Sequence, residues 1–250
     1  MKISIIMPTY NCGQYIKKAI DSVLKQPYND KELIVIDGGS KDDTVEILKS
    51  YGDKIEWVSE KDNGQADAIN KGFKKAKGEI VTWLNADDYY EPDIFEYVVK
   101  EFEKDPQVVL VYGNCKSVSK LNTSVNIPPK NITSRDMIQK GNFIFQPASF
   151  YRMETIKKIN YLNDKLNFWM EYEMFIQLLK NGKGFYVDKF LANFTLREDQ
   201  KSNFKNIIEM DKELYSISRK HGGNHFSKIF FKKVFNQAVN LFRQRNEKTL

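Results

Sequence analysis

The chain has 250 residues, 41% hydrophobic and 29% charged, with a formal net charge of +6. That suffices to bury one substantial α/β core and excludes a disordered, collagen-like or disulfide-stapled chain. Cys12 and Cys115 stand far apart, in no CxxC or Cys/His spacing, which excludes a structural zinc site and fits a reducing cytoplasm.

The elements can be taken in chain order. KISIIMP reads as a first strand, because its apolar run is broken at Pro8 and is too short for a signal-peptide core. A helix is expected over 14–26, then a strand ELIVID, a helix over 43–51, a strand KIEWVS, a helix over 66–76, a strand EIVTWLN and a helix over 94–102. Repeated βα units with nearly all-apolar strands predict a mostly parallel sheet covered by helices on both faces. In such sheets ligands bind beyond the carboxyl ends of the strands.

After VVLVYGN (108–114) the pattern becomes irregular through about residue 132, strands resume near 148–151 and 184–187, and a helix is expected over 171–181. From about residue 202 two helices are expected, parted by His221-Gly222-Gly223-Asn224. The last, over 226–244, sets Phe226, Ile229, Phe230, Val234, Phe235, Ala238, Leu241 and Phe242 at helical spacing among Lys228, Lys232, Lys233, Arg243 and Arg245. It packs on the rest of the protein or on a second copy as a homodimer, or it lies on an anionic membrane. No run is long and apolar enough to span a bilayer, so membrane contact is expected to be peripheral.

The strand ends carry the chemistry. Asn85-Ala86-Asp87-Asp88 follows a buried strand and reads equally as a helix cap or as a corner for a hard cation and a phosphorylated ligand. Asp37, ahead of Gly-Gly-Ser, is left without a capping task by Asp42 and Asp43 and is suited to a nucleobase or ribose. Pro8-Thr9-Tyr10-Asn11 adds an aromatic and two small polar groups, and Gly64 marks a turn before a helix carrying Asp67, Asn70 and Lys71. For Asp67 and Lys71, local spacing by itself favours a surface ion pair over contacts to sugar hydroxyls and phosphate.

In order and spacing, SIIMPTYN, ELIVIDGGSKDDT, SEKDNGQADAINKGFKKAKGE and IVTWLNADD resemble glycosyltransferase family 2 across roughly residues 1–200. The resemblance implies the GT-A fold and an inverting transfer, by a hexosyltransferase or N-acetylhexosaminyltransferase, from a nucleotide-diphosphate sugar, usually a UDP-sugar. The acceptor would be a saccharide or lipid-linked saccharide in surface glycan synthesis. It implies nucleotide binding by Pro8, Thr9, Tyr10, Asn11, Asp37, Gly64, Asn85, Ala86 and Asp87, and donor-sugar contacts from Asp67, Lys71 and Asp88. It also implies a divalent cation, Mn²⁺ or Mg²⁺, on Asp87, since Asn85 replaces the usual first acid of the metal motif. Cation and donor are then expected to bind cooperatively.

The same resemblance places the general base at Glu171, with Glu173 as rival, and assigns Gln146, Trp169 and Arg197 to the acceptor side, with Lys201 close behind. Glu198, Asp199 and Gln200 stand where many relatives carry a histidine. The expected organisation is a GT-A domain over 1–200, with a nucleotide-sugar half (1–114) and an acceptor half (115–200), and a C-terminal helical appendage over 201–250. A cytoplasmic protein, peripheral on the membrane's cytoplasmic face if the last helix anchors it, follows from that picture. A sugar-nucleotide pyrophosphorylase is the alternative enzyme, but Pro8–Gly13 lacks its Gly-rich basic loop. A nucleic-acid-binding protein is the other alternative; the basic residues are spread widely and no nucleic-acid motif appears, so no nucleic acid is expected as partner.

Overall fold

The computed structural model describes residues 1–197, 206–224, 227 and 229–231. The first half alternates β1 (Ile3–Thr9), α1 (Gly13–Leu24), β2 (Lys31–Asp37), α2 (Thr44–Ser50), β3 (Glu56–Ser59), α3 (Gln65–Lys75) and β4 (Ile80–Trp83). Then come β5 (Tyr89–Tyr90), α4 (Phe95–Lys104), β6 (Val108–Val118), β7 (Thr123–Asn126), α5 (Ser134–Lys140), β8 (Ser149–Arg152), α6 (Met153–Lys158), α7 (Met170–Asn181), β9 (Lys183–Thr195) and α8 (Ile207–Lys220).

The strands form one sheet in the order β3-β2-β1-β4-β8-β6-β9-β5, with β7 hairpinned onto β6. β1 pairs in parallel with β2 and β4, and β2 with β3. β8 is antiparallel to both β4 and β6, so β6 runs with β4, and β9 is parallel to β6. The carboxyl ends of β1–β4, β6 and β9 therefore point to one edge, and the segment entering β8 starts there.

The apolar strands reflect burial on both faces. Ile3, Ile5 and Met7 join one core with Ile16 and Ile20 of α1 and Phe95 and Val98 of α4. Between them, Ile6 joins the opposite core with Ile69 and Phe73 of α3 and Tyr172 and Phe175 of α7. Each such side chain contributes about 1.5–3 kcal/mol by burial, which makes a one-residue slip in register prohibitive.

The structure departs from the expected elements where tertiary contacts outweigh local pattern. The strands expected near 184–187 and at FLANFTL (190–196) are one strand ending at Thr195, because ten of its residues find partners along β6. β5 is too short to announce itself and exists by pairing Tyr89 and Tyr90 with Asn193 and Ala192. α5, in the stretch between the expected strands, begins at a capping box between Thr133 and Asp136. In the expected appendage, Leu214 and Ile217 of α8 and Ile229 belong to the same core as Trp83, and α8 packs on α5. Phe230 packs on Tyr215. The rest of the expected last helix, with Phe226, Lys228 and residues 232–245, lies outside the described residues, as do Glu198, Asp199, Gln200 and Lys201.

Candidate active site

Side chains and backbone stitch the converging strand ends together. The Gly38 amide donates to the Thr9 carbonyl at 2.9 Å, Asn11 N to Ser40 Oγ at 2.8 Å, and Lys41 N to Asn11 Oδ1 at 2.8 Å. Asn11 makes this crossing in a left-handed conformation (φ 50°), which asparagine tolerates better than most side chains.

Asp37 is fully buried at the end of β2. Its Oδ2 accepts the amides of Gly39 (3.2 Å) and Ser40 (3.0 Å) and the Ser59 hydroxyl (2.5 Å), and its Oδ1 takes the Ser40 hydroxyl. Gly39 supplies one of these amides at φ +83°, where a side chain would be strained. Asp37 thus shapes the loop after β2 and ties it to the end of β3. Tyr10 stands beside it, 59% exposed, and its ring is free for a planar ligand.

At the end of β4, the four residues of the acidic corner have separate environments. Asn85 accepts from Gln65 Nε2 at 2.8 Å through Oδ1 and donates to Asp88 Oδ2 at 3.2 Å. Ala86 is buried. Asp88 is only 1% exposed, and its Oδ1 takes the Thr195 amide at 2.9 Å. Burial, then the charge of Asp87, pushes its carboxyl well above the ordinary range. Asp88 therefore faces the interior and locks β9 to the corner, which leaves it closed to the donor-sugar contact expected of it.

Asp87 is the partly exposed acid. Arg197 Nη1 lies 3.2 Å from its Oδ2, and the guanidinium sits 4.9 Å from the centre of the Tyr15 ring. Arg197, expected on the acceptor side, is thus in contact with Asp87. Among the described residues no three His, Cys, Asp or Glu side chains come together to hold a metal. A hard cation can be held by one carboxylate when substrate phosphates complete its oxygen shell. Asp87 fits that limited role.

Asp67 and Lys71 pair with each other at 3.4 Å, and Lys71 also meets Glu60 at 2.8 Å. Asp67 accepts the Asn63 amide, so this cluster braces the turn at Gly64, whose φ of +106° opens α3. Pro8 pairs with Ile36 in the body of the sheet. Gln146 donates to the carbonyl of Trp83, at the end of β4, at 2.6 Å. Among the described residues, two buried side-chain oxygens lack a hydrogen-bond partner, Thr9 Oγ1 and Gln146 Oε1. Both belong to this edge, where a ligand or water would satisfy them.

The two candidate bases differ sharply. Glu173 is 1% exposed and accepts from Lys220 Nζ (2.6 Å) and Asn163 Nδ2 (2.8 Å), with His221 Nε2 at 3.3 Å. The His221 contact, with those of Lys220 and Asn163, holds its carboxyl down at about 2 against the desolvation that opposes them. Glu171 is half-buried, and burial pushes its carboxyl up to about 7, with the charge of Glu213 adding to the effect. Its charge is felt by the phenol of Tyr151, which bonds Ser149 at 2.6 Å at the foot of the Gln146 turn. Trp169, half-buried, caps α7 by position and donates its indole N–H to the Met210 carbonyl at 2.9 Å.

Glu173 is therefore a latch between α7 and α8. Replacing it with Ala is expected to lower stability by about 2–3 kcal/mol in urea denaturation at neutral pH. Its ordinary carboxyl value lies near 4.5 and its folded value near 2. The stabilisation is accordingly complete above about pH 4.5 and is lost as pH falls towards 2, so the gap between wild type and variant should close in acid. An equal gap at pH 7 and pH 2.5 would contradict the latch.

Sequence reasoning missed Ser59, Gln65, Thr195 and Glu213. Ser59 and Gln65 lie within the quoted SEKDNGQADAINKGFKKAKGE but carry no type-specific signal there, and Thr195 and Glu213 lie too far along the chain for spacing to connect them.

Comparison with known proteins bears on what this edge does. The family model described as glycosyl transferase family 2 matches residues 4–160. Chondroitin synthase of Pasteurella multocida is 32% identical over 254 aligned positions, covering 98% of this chain and 24% of the synthase. The chain thus spans about a quarter of that relative. S. aureus TarS 1–349, solved in complex with UDP-GlcNAc, superposes with a TM-score of 0.70 at 20% identity, covering 94% of this chain and 72% of that one. A mannosyltransferase from Pyrobaculum calidifontis, solved with GDP-Man and Mn²⁺, gives 0.66 at 15% identity, covering 94% and 69%. The fold is the GT-A fold of these neighbours.

Proposed function

Because the chain belongs to glycosyl transferase family 2, we propose that it moves a sugar from a nucleoside-diphosphate donor, a UDP-sugar, to a saccharide or lipid-linked saccharide with inversion. The observation that carries this reading is the bonded edge itself. Thr9–Asn11 is bonded to Asp37–Ser40, and Asn85–Asp88 to Arg197, at neighbouring strand ends, with an exposed aromatic and two unsatisfied oxygens.

Each residue has a task in that reading. The Tyr10 ring stacks on the base, and Asp37, fully buried, serves the nucleotide by holding the Gly39–Ser40 loop and the end of β3 in place beside it. The Thr9 hydroxyl and the Gln146 amide oxygen meet polar groups of the donor or ordered water. Asp87 would hold a divalent cation, which would neutralise charge on the departing diphosphate. The ionised Glu171 carboxylate takes the proton of the acceptor hydroxyl as its oxygen bonds to the anomeric carbon. The bond from that carbon to the diphosphate oxygen breaks on the opposite face, and the nucleoside diphosphate leaves. A carboxyl near 7 is a far better proton acceptor than one near 2, which favours Glu171 over Glu173.

A thermal-shift screen of nucleotide sugars with and without Mn²⁺ tests the reading. A UDP-sugar with Mn²⁺ at saturating concentration is expected to raise Tm by about 5 °C or more. Silence towards every nucleotide sugar in both conditions would overturn it.

A further inference from the structure

Glu213, on α8, lies beyond the residues matched by the family model. Its Oε1 accepts the amides of Phe168 and Trp169, each at 2.8 Å, and its Oε2 that of Asn167 at 2.9 Å. These three amides lead into α7, whose cap position is filled by Trp169 with no side-chain cap bond. A helix start presents unpaired N–H groups and a positive field, which normally favour an anion in the first turn. Glu171 sits in that turn.

We propose that Glu213 is a positioning residue for the transfer reaction: it docks the start of α7 from α8 and, by occupying the positive end of that helix, cancels the field that would hold Glu171 as a weak base. The proposal rests on the reading of Glu171 as the base. The groups facing Glu171 are consistent with it. From α8 comes the Glu213 charge, from β8 the neutral Tyr151 phenol, and along α7 Glu173, which is paired by Lys220 at 2.6 Å. Among the described residues no cation pairs with Glu171, so the Glu213 charge adds to burial, the larger effect, in raising its basicity. α8 is thereby part of the catalytic arrangement.

The test follows the Glu171 carboxyl directly, by carbon NMR of the full-length protein labelled at glutamate carboxyls, with Glu171→Gln used for assignment. Glu213→Gln removes the charge and should lower the Glu171 midpoint by about half a pH unit or more, while Glu213→Asp, which keeps the charge, should stay near wild type. The acid limb of kcat/KM should move down with the midpoint in Glu213→Gln and stay in Glu213→Asp, which a plain loss of helix capping would not produce. If Glu213→Gln weakens folding, Glu213→Asp against wild type at equal helical content carries the comparison, and a Glu171 midpoint that falls there by as much as the charge loss predicts overturns the proposal. An unmoved midpoint in Glu213→Gln reduces Glu213 to a helix cap and also overturns it. If the midpoint moves but the acid limb does not, and Glu171→Gln still turns over, the base reading fails, and with it the role in transfer.

Discussion

Glu171→Gln is expected to lower kcat by about 10²–10⁴-fold while leaving UDP affinity within about twofold of wild type. The amide keeps the shape of the side chain but cannot take a proton. Steady-state kinetics beside calorimetric titration with UDP and Mn²⁺ separates the two effects, and turnover within tenfold of wild type would move the base elsewhere. In the wild type, kcat/KM should rise through about pH 7 as the carboxyl ionises. The same substitution has a signature in stability. The folded protein holds this proton up to about pH 7 whereas the unfolded chain releases it near 4.5, so wild-type stability falls as pH rises across that window. Glu171→Gln escapes that loss and should be more stable than wild type above pH 7, by about 1–3 kcal/mol. A variant that is less active and more stable is the expected mark of a half-buried acid kept for catalysis.

Asp87→Ala is expected to abolish the metal-dependent part of donor binding. In wild type, Mn²⁺ should tighten UDP binding by about a hundredfold, and in the variant the affinity with Mn²⁺ should match that in chelator. The expectation follows from a corner with a single available carboxylate: Asn85 carries no charge, and Asp88 is buried with its oxygens on Thr195 and Asn85. Cation alone should bind the wild type weakly, because Arg197 already lies against Asp87. Calorimetry showing the same Mn²⁺ enhancement in Asp87→Ala would remove Asp87 as the anchor.

The parts of the site legible in the sequence are those in which neighbours in the chain act together. Thr9, Asp37 and Asn85 could be placed at strand ends because apolar runs stop there, and turn residues such as Gly38 and Gly39 follow directly. The pairing of Asp67 with Lys71 was readable from helical spacing, and the structure bears out the surface ion pair. Only the family resemblance points to Trp169 and Arg197, and it does not give their partners. Trp169 bonds Met210, and Arg197 meets Asp87 across 110 positions.

The order of βα units, the parallel sheet and the edge where chemistry gathers were determined by the sequence itself, because burial on both faces writes continuous apolar runs and loops write their glycines and acids locally. Three matters were decided only by tertiary structure. Of two glutamates two positions apart on α7, Glu171 has its carboxyl pushed up and Glu173 is tied down, because burial acts on the first and α8 with its cap brings Lys220 and His221 to the second and Glu213 to the helix start. Of two adjacent aspartates, Asp88 turns inward because the end of β9 supplies its amide partner, while Asp87 is left facing Arg197. The C-terminal α8 joins the core rather than hanging from it. The physical reason is common to all three. The ionisation and reach of a side chain depend on desolvation and on partners within a few ångströms, and those partners come from chain segments that local pattern does not connect.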